Sequence, residues 1–275
     1  MKKLLLSALC VATMAACKKE PTVTFLQEEG GTKTAQRTSL VISNGSNPYD
    51  FVGELHNEGC DFVFQNGITK ETFSRDWIPL VTSFATNKNL AGSSDLPTFF
   101  ESDEWKESFP QSKPFTQNNA EDVILHMYGK GWISAVESNY LQRLMNVADS
   151  FDLILAAQNY DVSSAYAQSY SSFVKIENEV LTSNLSNESE KMLLSVASVG
   201  RHSLAHWINT LEDSNGGTMP QERINHVVKA DMSGAAAASV SWGLWATFTG
   251  GVAGWGAVVF SGAVGNSVYE VLMNM

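Results

Sequence analysis

Between Met232 and Tyr269 the chain carries no charged residue. Gly234, Gly243, Gly250, Gly251, Gly254, Gly256, Gly262 and Gly265 are interspersed there with Ala, Ser and Val. Such a stretch must bury itself against other protein or leave water for another apolar phase. Small residues let helix backbones approach until van der Waals packing dominates, and Gly250 and Gly254 stand at the four-residue spacing this requires. If Gly250-Gly251 turns the chain, residues 233–249 and 252–269 make a tight helical hairpin. Each arm is near the lower length limit for crossing a bilayer, and Trp242, Trp245 and Trp255 would suit its interfaces. Glycine, however, adds little hydrophobic drive and costs helix stability. Three readings stay open. The hairpin packs into the body as a dense core, which is preferred; it inserts into a membrane, directly or after release; or it self-associates.

The opposite end reads as an address. Lys2 and Lys3 precede an apolar run from Leu4 to Met14, too short to span a bilayer as an ordinary helix, and Ala15-Ala16-Cys17 follows. Met14-Ala15-Ala16-Cys17 resembles a bacterial lipobox, with Met14 where Leu is more usual. The resemblance implies cleavage before Cys17 and acylation of that residue, diacylglycerol and palmitate included. Several acyl chains at about 0.8 kcal/mol per buried methylene would hold the protein on a membrane through the lipid alone. Lys18-Lys19-Glu20 resembles the short charged signal that follows the lipidated Cys in surface-exposed lipoproteins of the Bacteroidota. The implied location is the outer membrane, lipid-anchored, with an outward-facing orientation as one of two open alternatives.

With Cys10 in the leader and Cys17 lipidated, Cys60 stands alone, so no internal disulfide is expected. Cys60 reads as a buried structural thiol. Loss of Lys2 and Lys3 takes the formal net charge from −11 to −13. A chain so acidic is a poor partner for nucleic acid or for direct adsorption to anionic lipid.

Residues 1–16 thus read as the signal peptide, 17–46 as the lipidated Cys and a Thr/Gly/Ser-rich tether, 47–226 as a helical domain and 227–275 as the Gly/Ala/Trp-rich hairpin. Asn47-Pro48 signals a helix start and Gly67 a stop, with Val52, Leu55, Phe62 and Val63 sharing a face. Helices are predicted over 69–86, kinked or divided at Pro79, and over 97–109. From Asn119 onward the periodicity is clearest, with Val136, Tyr140, Leu144, Val147 and Phe151 three or four residues apart. Further helices are predicted over 162–184 and 187–212. Few segments alternate apolar and polar residues, so the fold class is mainly α: a multi-helix globular body with a C-terminal helical hairpin.

Candidate chemistry is sparse. His202 and His206 stand four residues apart on a helix, a spacing at which both could ligate one zinc ion. The metalloprotease pattern requires Glu after its first His, and Ser203 stands there instead. At about 100° per residue, Leu193, Ala197, Gly200, Leu204, Trp207, Ile208 and Leu211 gather on one face, which sets both imidazoles opposite and toward solvent. No nucleophile elbow, Walker loop or zinc ribbon is present. Neither a cofactor nor a catalytic residue is expected.

Two further resemblances concern the whole. The tract around Gly243, Gly250, Gly251 and Gly254 resembles a glycine zipper, a pattern found in membrane-associated bacterial proteins and in Gly/Ala-rich bacteriocins. The segment Asn47-Pro48-Tyr49-Asp50-Phe51-Val52-Gly53-Glu54-Leu55-His56-Asn57-Glu58-Gly59, ahead of a helical domain and a Gly/Ala-rich end, resembles outer-membrane lipoproteins of the Bacteroidota. The resulting expectation is a non-enzymatic envelope lipoprotein that serves as a surface interaction module. It would meet the membrane through its lipid and a protein or membrane partner through the C-terminal tract. The alternative is a membrane-active, bacteriocin-like or pore-forming protein that uses the hairpin. A zinc hydrolase built on His202 and His206 is the remotest option.

Overall fold

The computed structural model describes residues 40–114, 120–213, 221–249 and 254–274, and the signal peptide, Cys17, Gly250 and Gly251 lie outside them. Among the described residues there are ten α-helices and no strand. They are α1 (Phe51–Gln65), α2 (Phe73–Asn87), α3 (Leu96–Phe100), α4 (Asp103–Glu107), α5 (Ala120–Gly129), α6 (Ala135–Ala157), α7 (Val162–Thr182), α8 (Asn187–Asp213), α9 (Gln221–Thr249) and α10 (Trp255–Asn274). The mainly α, multi-helix body with a C-terminal hairpin is therefore the fold. Thr38–Met275 forms one compact unit. The division expected at 226/227 falls inside α9.

Local chemistry explains most boundaries. Ser134 caps α6 by accepting from Glu137 N while the Glu137 side chain accepts from Ser134 N, a reciprocal capping box. Asp161 caps α7 by accepting from the N–H groups of Ser163 and Ser164. Gly67, at φ +75°, ends the first helical region where predicted. The predicted start at Asn47-Pro48 is corrected: α1 begins at Phe51 because Asn47 is spent on a turn, its Oδ1 accepting from Tyr49 N at 2.8 Å. Pro79 neither ends nor divides α2. The single helix predicted over 97–109 is two, interrupted where Ser102 accepts from Trp105 N and starts α4.

At the centre is α8, buried without interruption from Met192 to Ala205 and packed on α1, α6, α7 and α9. The α9–α10 hairpin lies against it, and the uncharged tract is core. Ala235 to Ala238, Val258 to Phe260, and Ala263, Val264 and Val268 are wholly buried. Among the described residues the two arms approach closely at Gly234 and Gly262; the expected Gly250–Gly254 spacing involves Gly250, which lies outside them. A Cβ on Gly234 would stand 2.5 Å from Gly262 O, and one on Gly262 would stand 2.6 Å from Ala238 Cβ. Gly243 is exposed, and a Cβ added there would meet no atom within 4 Å. Gly254 begins α10 at φ +122°, pressed against Ala91 and Gly92.

Trp242 and Trp245 likewise face protein. Their rings pack on Phe99 at centroid distances of 5.5 and 6.0 Å, within a cluster that includes Phe100, Trp105 and Phe109. Trp255 donates to Ser239 Oγ at 3.1 Å, tying the start of α10 to α9.

Candidate functional site

Two polar clusters lie side by side on α8, between it and α1. In the first, residues 40–46, expected to be the end of the tether, lie with Asn47 along α7 and α8 as a strap. Three successive strap carbonyls are held by side chains: Tyr166 Oη donates to Val41 O at 3.1 Å, Arg201 to Ile42 O, and Tyr170 Oη to Ser43 O at 2.9 Å. Asn44 and Asn47 each donate to one oxygen of Glu177, both at 2.7 Å. Arg201 completes the cluster by donating to Glu177 at 3.0 Å and to Asp50.

Glu177 and Arg201 are fully buried, which is tolerable only because the charges are mutually paired and hydrogen-bonded. Asp50 also faces His202 Nε2 at 3.1 Å and accepts from Asn44 N at 3.0 Å. Burial alone would raise the Asp50 pKa, but the hydrogen bond from His202 and the guanidinium of Arg201 overcome it and bring it down to about 2.

The second cluster is deeper. His56 Nε2 lies 3.3 Å from Asp231 Oδ2 and 3.5 Å from Cys60 Sγ, and all three residues are fully buried. Ser203 Oγ donates to the same Asp231 oxygen at 2.5 Å and Trp207 Nε1 at 3.3 Å. Burial opposes a charge on His56, yet Cys60 and Asp231 together hold its pKa well above the usual imidazole range. His206 is driven the other way: burial and the neighbouring His56 lower its pKa, against the opposing pull of Asp61.

Two expectations about α8 are thereby corrected. His202 and His206 do not face solvent; their side chains are 4% and 12% exposed, because the middle of α8 is enclosed on every side and not on one apolar face alone. Nor do they converge on a shared ion. His202 addresses Asp50, while His206 Nε2 lies 3.7 Å from Asp61. Among the described residues, no group of three or more His, Cys, Asp or Glu side chains is arranged to hold a metal.

Cys60 is buried as expected, although a histidine does lie beside it, one helical turn earlier. Cys60 and His56 could exchange a proton, but both are sealed from solvent and Asp231 shares the same imidazole nitrogen. The arrangement fixes α1 to α8 and α9 by charge and hydrogen bonds, and offers no reacting atom to a substrate. A shallow groove of about 510 Å³ along α7, lined by Val174, Lys175, Asn178 and Thr182 among others, meets the clusters only at Tyr170.

Glu177, Arg201 and Asp231 were given no role by sequence reasoning, and Asp50 and His56 entered it as members of the 47–59 segment. One signal was present. Gly53, His56, Gly59, Cys60 and Val63 recur at three- and four-residue steps, a buried face of small and polar residues that apolar periodicity passes over. Compared with known proteins, the chain matches no family model, no curated protein and no solved structure.

Proposed function

We propose that the protein is a non-enzymatic, lipid-anchored envelope protein of the outer membrane, attached through Cys17, whose helical body serves as an interaction module. The observation that carries this reading is the state of the interior polar groups. Cys60, His56, Asp231, Glu177 and Arg201 are paired within these two clusters and sealed from solvent, as suits a framework held by internal pairing. Leu125 and Tyr128, three residues apart on α5 and about half exposed, are the proposed contact face. In cells, palmitate labelling should be abolished by Cys17→Ser. Crosslinking through a photoreactive residue at position 128 should give a discrete adduct that Leu125→Glu weakens. A body that crosslinks nowhere on α5, or a chain never labelled, would refute the reading.

A second reading, membrane activity, has its own observation. The stretch Trp255–Met273 of α10 is long and apolar enough to cross a membrane, with mean hydropathy 1.2, and 72% of its most apolar part is buried inside the body. A latent inserting hairpin would be stored in this way. Core helices of water-soluble proteins meet the same criterion, so the interaction module is preferred. Dye release from vesicles by the unlipidated chain would reverse that order.

A further inference from the structure

The groups that fasten α1 to its neighbours form a line running inward from the surface. Asp61 of α1 stands outermost and more than half exposed, with His206 of α8 next to it. His56 of α1 and Asp231 of α9 follow, fully buried and 3.3 Å apart. The same helix covers the hairpin: a Cβ on Gly59 would stand 2.9 Å from Val264 and 3.4 Å from Phe260, so α1 rests directly on α10. We propose that α1 is an acid-released lid, in which a proton on His206 parts the His56–Asp61 portion of α1 from α8 and α9 and uncovers Phe260 and Val264 of α10.

The groups facing His206 decide the sign. From α1 come Asp61 and His56, and from α9 comes Asp231; on α8 itself the neighbour is the ring of Trp207, at 4.9 Å between centroids. Asp231 is already engaged by His56, Ser203 and Trp207, and Asp61 is open to water. With the His56 pKa held well above its usual range by Cys60 and Asp231, a proton on His206 would set two imidazolium groups side by side in a buried seam. Burial first, and His56 second, therefore hold the His206 pKa below 6.5 while the lid is shut. A group depressed in the closed state favours the open state as pH falls below its free value. One proton taken up on opening raises the open population up to about tenfold per pH unit. The other end of α1 stays fastened, because Asp50 remains ionised down to about pH 2 and keeps its pairing with Arg201 and His202. The lid thus hinges at its N-terminus.

Hydrogen exchange on the unlipidated chain from Lys18 onward, between pH 7.5 and 5.0 and corrected for intrinsic rates, tests the lid in water. Amides from His56 to Val63, and those near Phe260, should open progressively below pH 6.5. His206→Gln should lose that slope, toward a tenfold difference from wild type per pH unit. Asp61→Asn, an exposed substitution that spares the fold, should steepen it. An unchanged slope in His206→Gln, or an α1 that opens no more than α7, overturns the proposal. The vesicle arm alone rests on the membrane-active reading. Vesicles of phosphatidylglycerol and phosphatidylcholine bound at pH 5 in step with opening support both; opening without binding keeps the lid and removes that reading; binding without opening of α1 refutes the lid.

Discussion

Replacing Gly234 and Gly243 with alanine, one at a time, places the same methyl group twice on α9 and should give opposite results. At Gly243 the new Cβ enters open space, so only backbone entropy changes. Alanine is favoured over glycine in a helix interior by about 0.8–1 kcal/mol. At Gly234 the methyl lands 2.5 Å from the Gly262 carbonyl oxygen and into the Asn266 side chain. The carbonyl belongs to the α10 backbone and cannot rotate aside, so the helices must separate by the missing ångström. Overpacking of this kind costs about 1–3 kcal/mol, which outweighs the propensity gain except at its lower end. For a body of this size about 1 kcal/mol corresponds to about 2–4 °C in Tm. Gly243→Ala should therefore melt a few degrees higher than wild type, and Gly234→Ala several degrees lower, by thermal circular dichroism or in urea. Equal shifts in the two variants would mean that α9 and α10 do not meet at Gly234, and the packing argument for the tract would fail.

Arg201→Met should be far more damaging than its surface counterparts, because it leaves Glu177 buried without its cation. A loss of about 3–5 kcal/mol is expected from chemical denaturation, partly recovered by adding Glu177→Gln. Phe99→Ala removes the ring shared by Trp242, Trp245, Phe100 and Trp105 and should cost about 3–5 kcal/mol, with loss of near-ultraviolet ellipticity. The pH profile has two limbs. Asp50, lowered from 3.8 to about 2, contributes about 2 kcal/mol that is present above pH 4 and lost as the pH falls toward 2. His56, raised above its usual 6.5, contributes stability that is complete below that value and lost as the pH climbs through its folded pKa. Urea midpoints should trace both limbs, with His56→Gln flattening the alkaline one.

The long helices were legible through their apolar period, and local signals that sequence reasoning did not use also mark their ends. Asp161 at the start of α7 and the Ser134–Glu137 box of α6 act within four residues, where sequence can be read directly. Faces were harder to read. Val136 satisfies the helical period of α6 yet is half exposed, while Leu141 and Met145 carry the core. The assignment of α8 failed for a definite reason. A hydrophobic stripe identifies the inner face only when the other face meets water, and between Met192 and Ala205 α8 has no face that does. Its polar residues are matched by Asp50, Glu177 and Asp231 from three other elements, pairings that join residues 24 to 152 positions apart. No local rule foresees such partners. The contact glycines show the same limit: Gly234 and Gly262 meet across the hairpin although they are far apart in sequence.

The strap also determines how the body bears load. A pull on the N-terminus first meets Val41, Ile42 and Ser43, whose carbonyls are gripped side by side by Tyr166, Arg201 and Tyr170. Bonds loaded in parallel share a force that would break them singly. The strain then passes through Arg201 and Glu177 into α7 and into α8, which is buried without interruption from Met192 to Ala205, before any of it reaches α1. Whatever tugs the chain from upstream of residue 40 acts on an anchorage sunk into the frame, and α1 is spared.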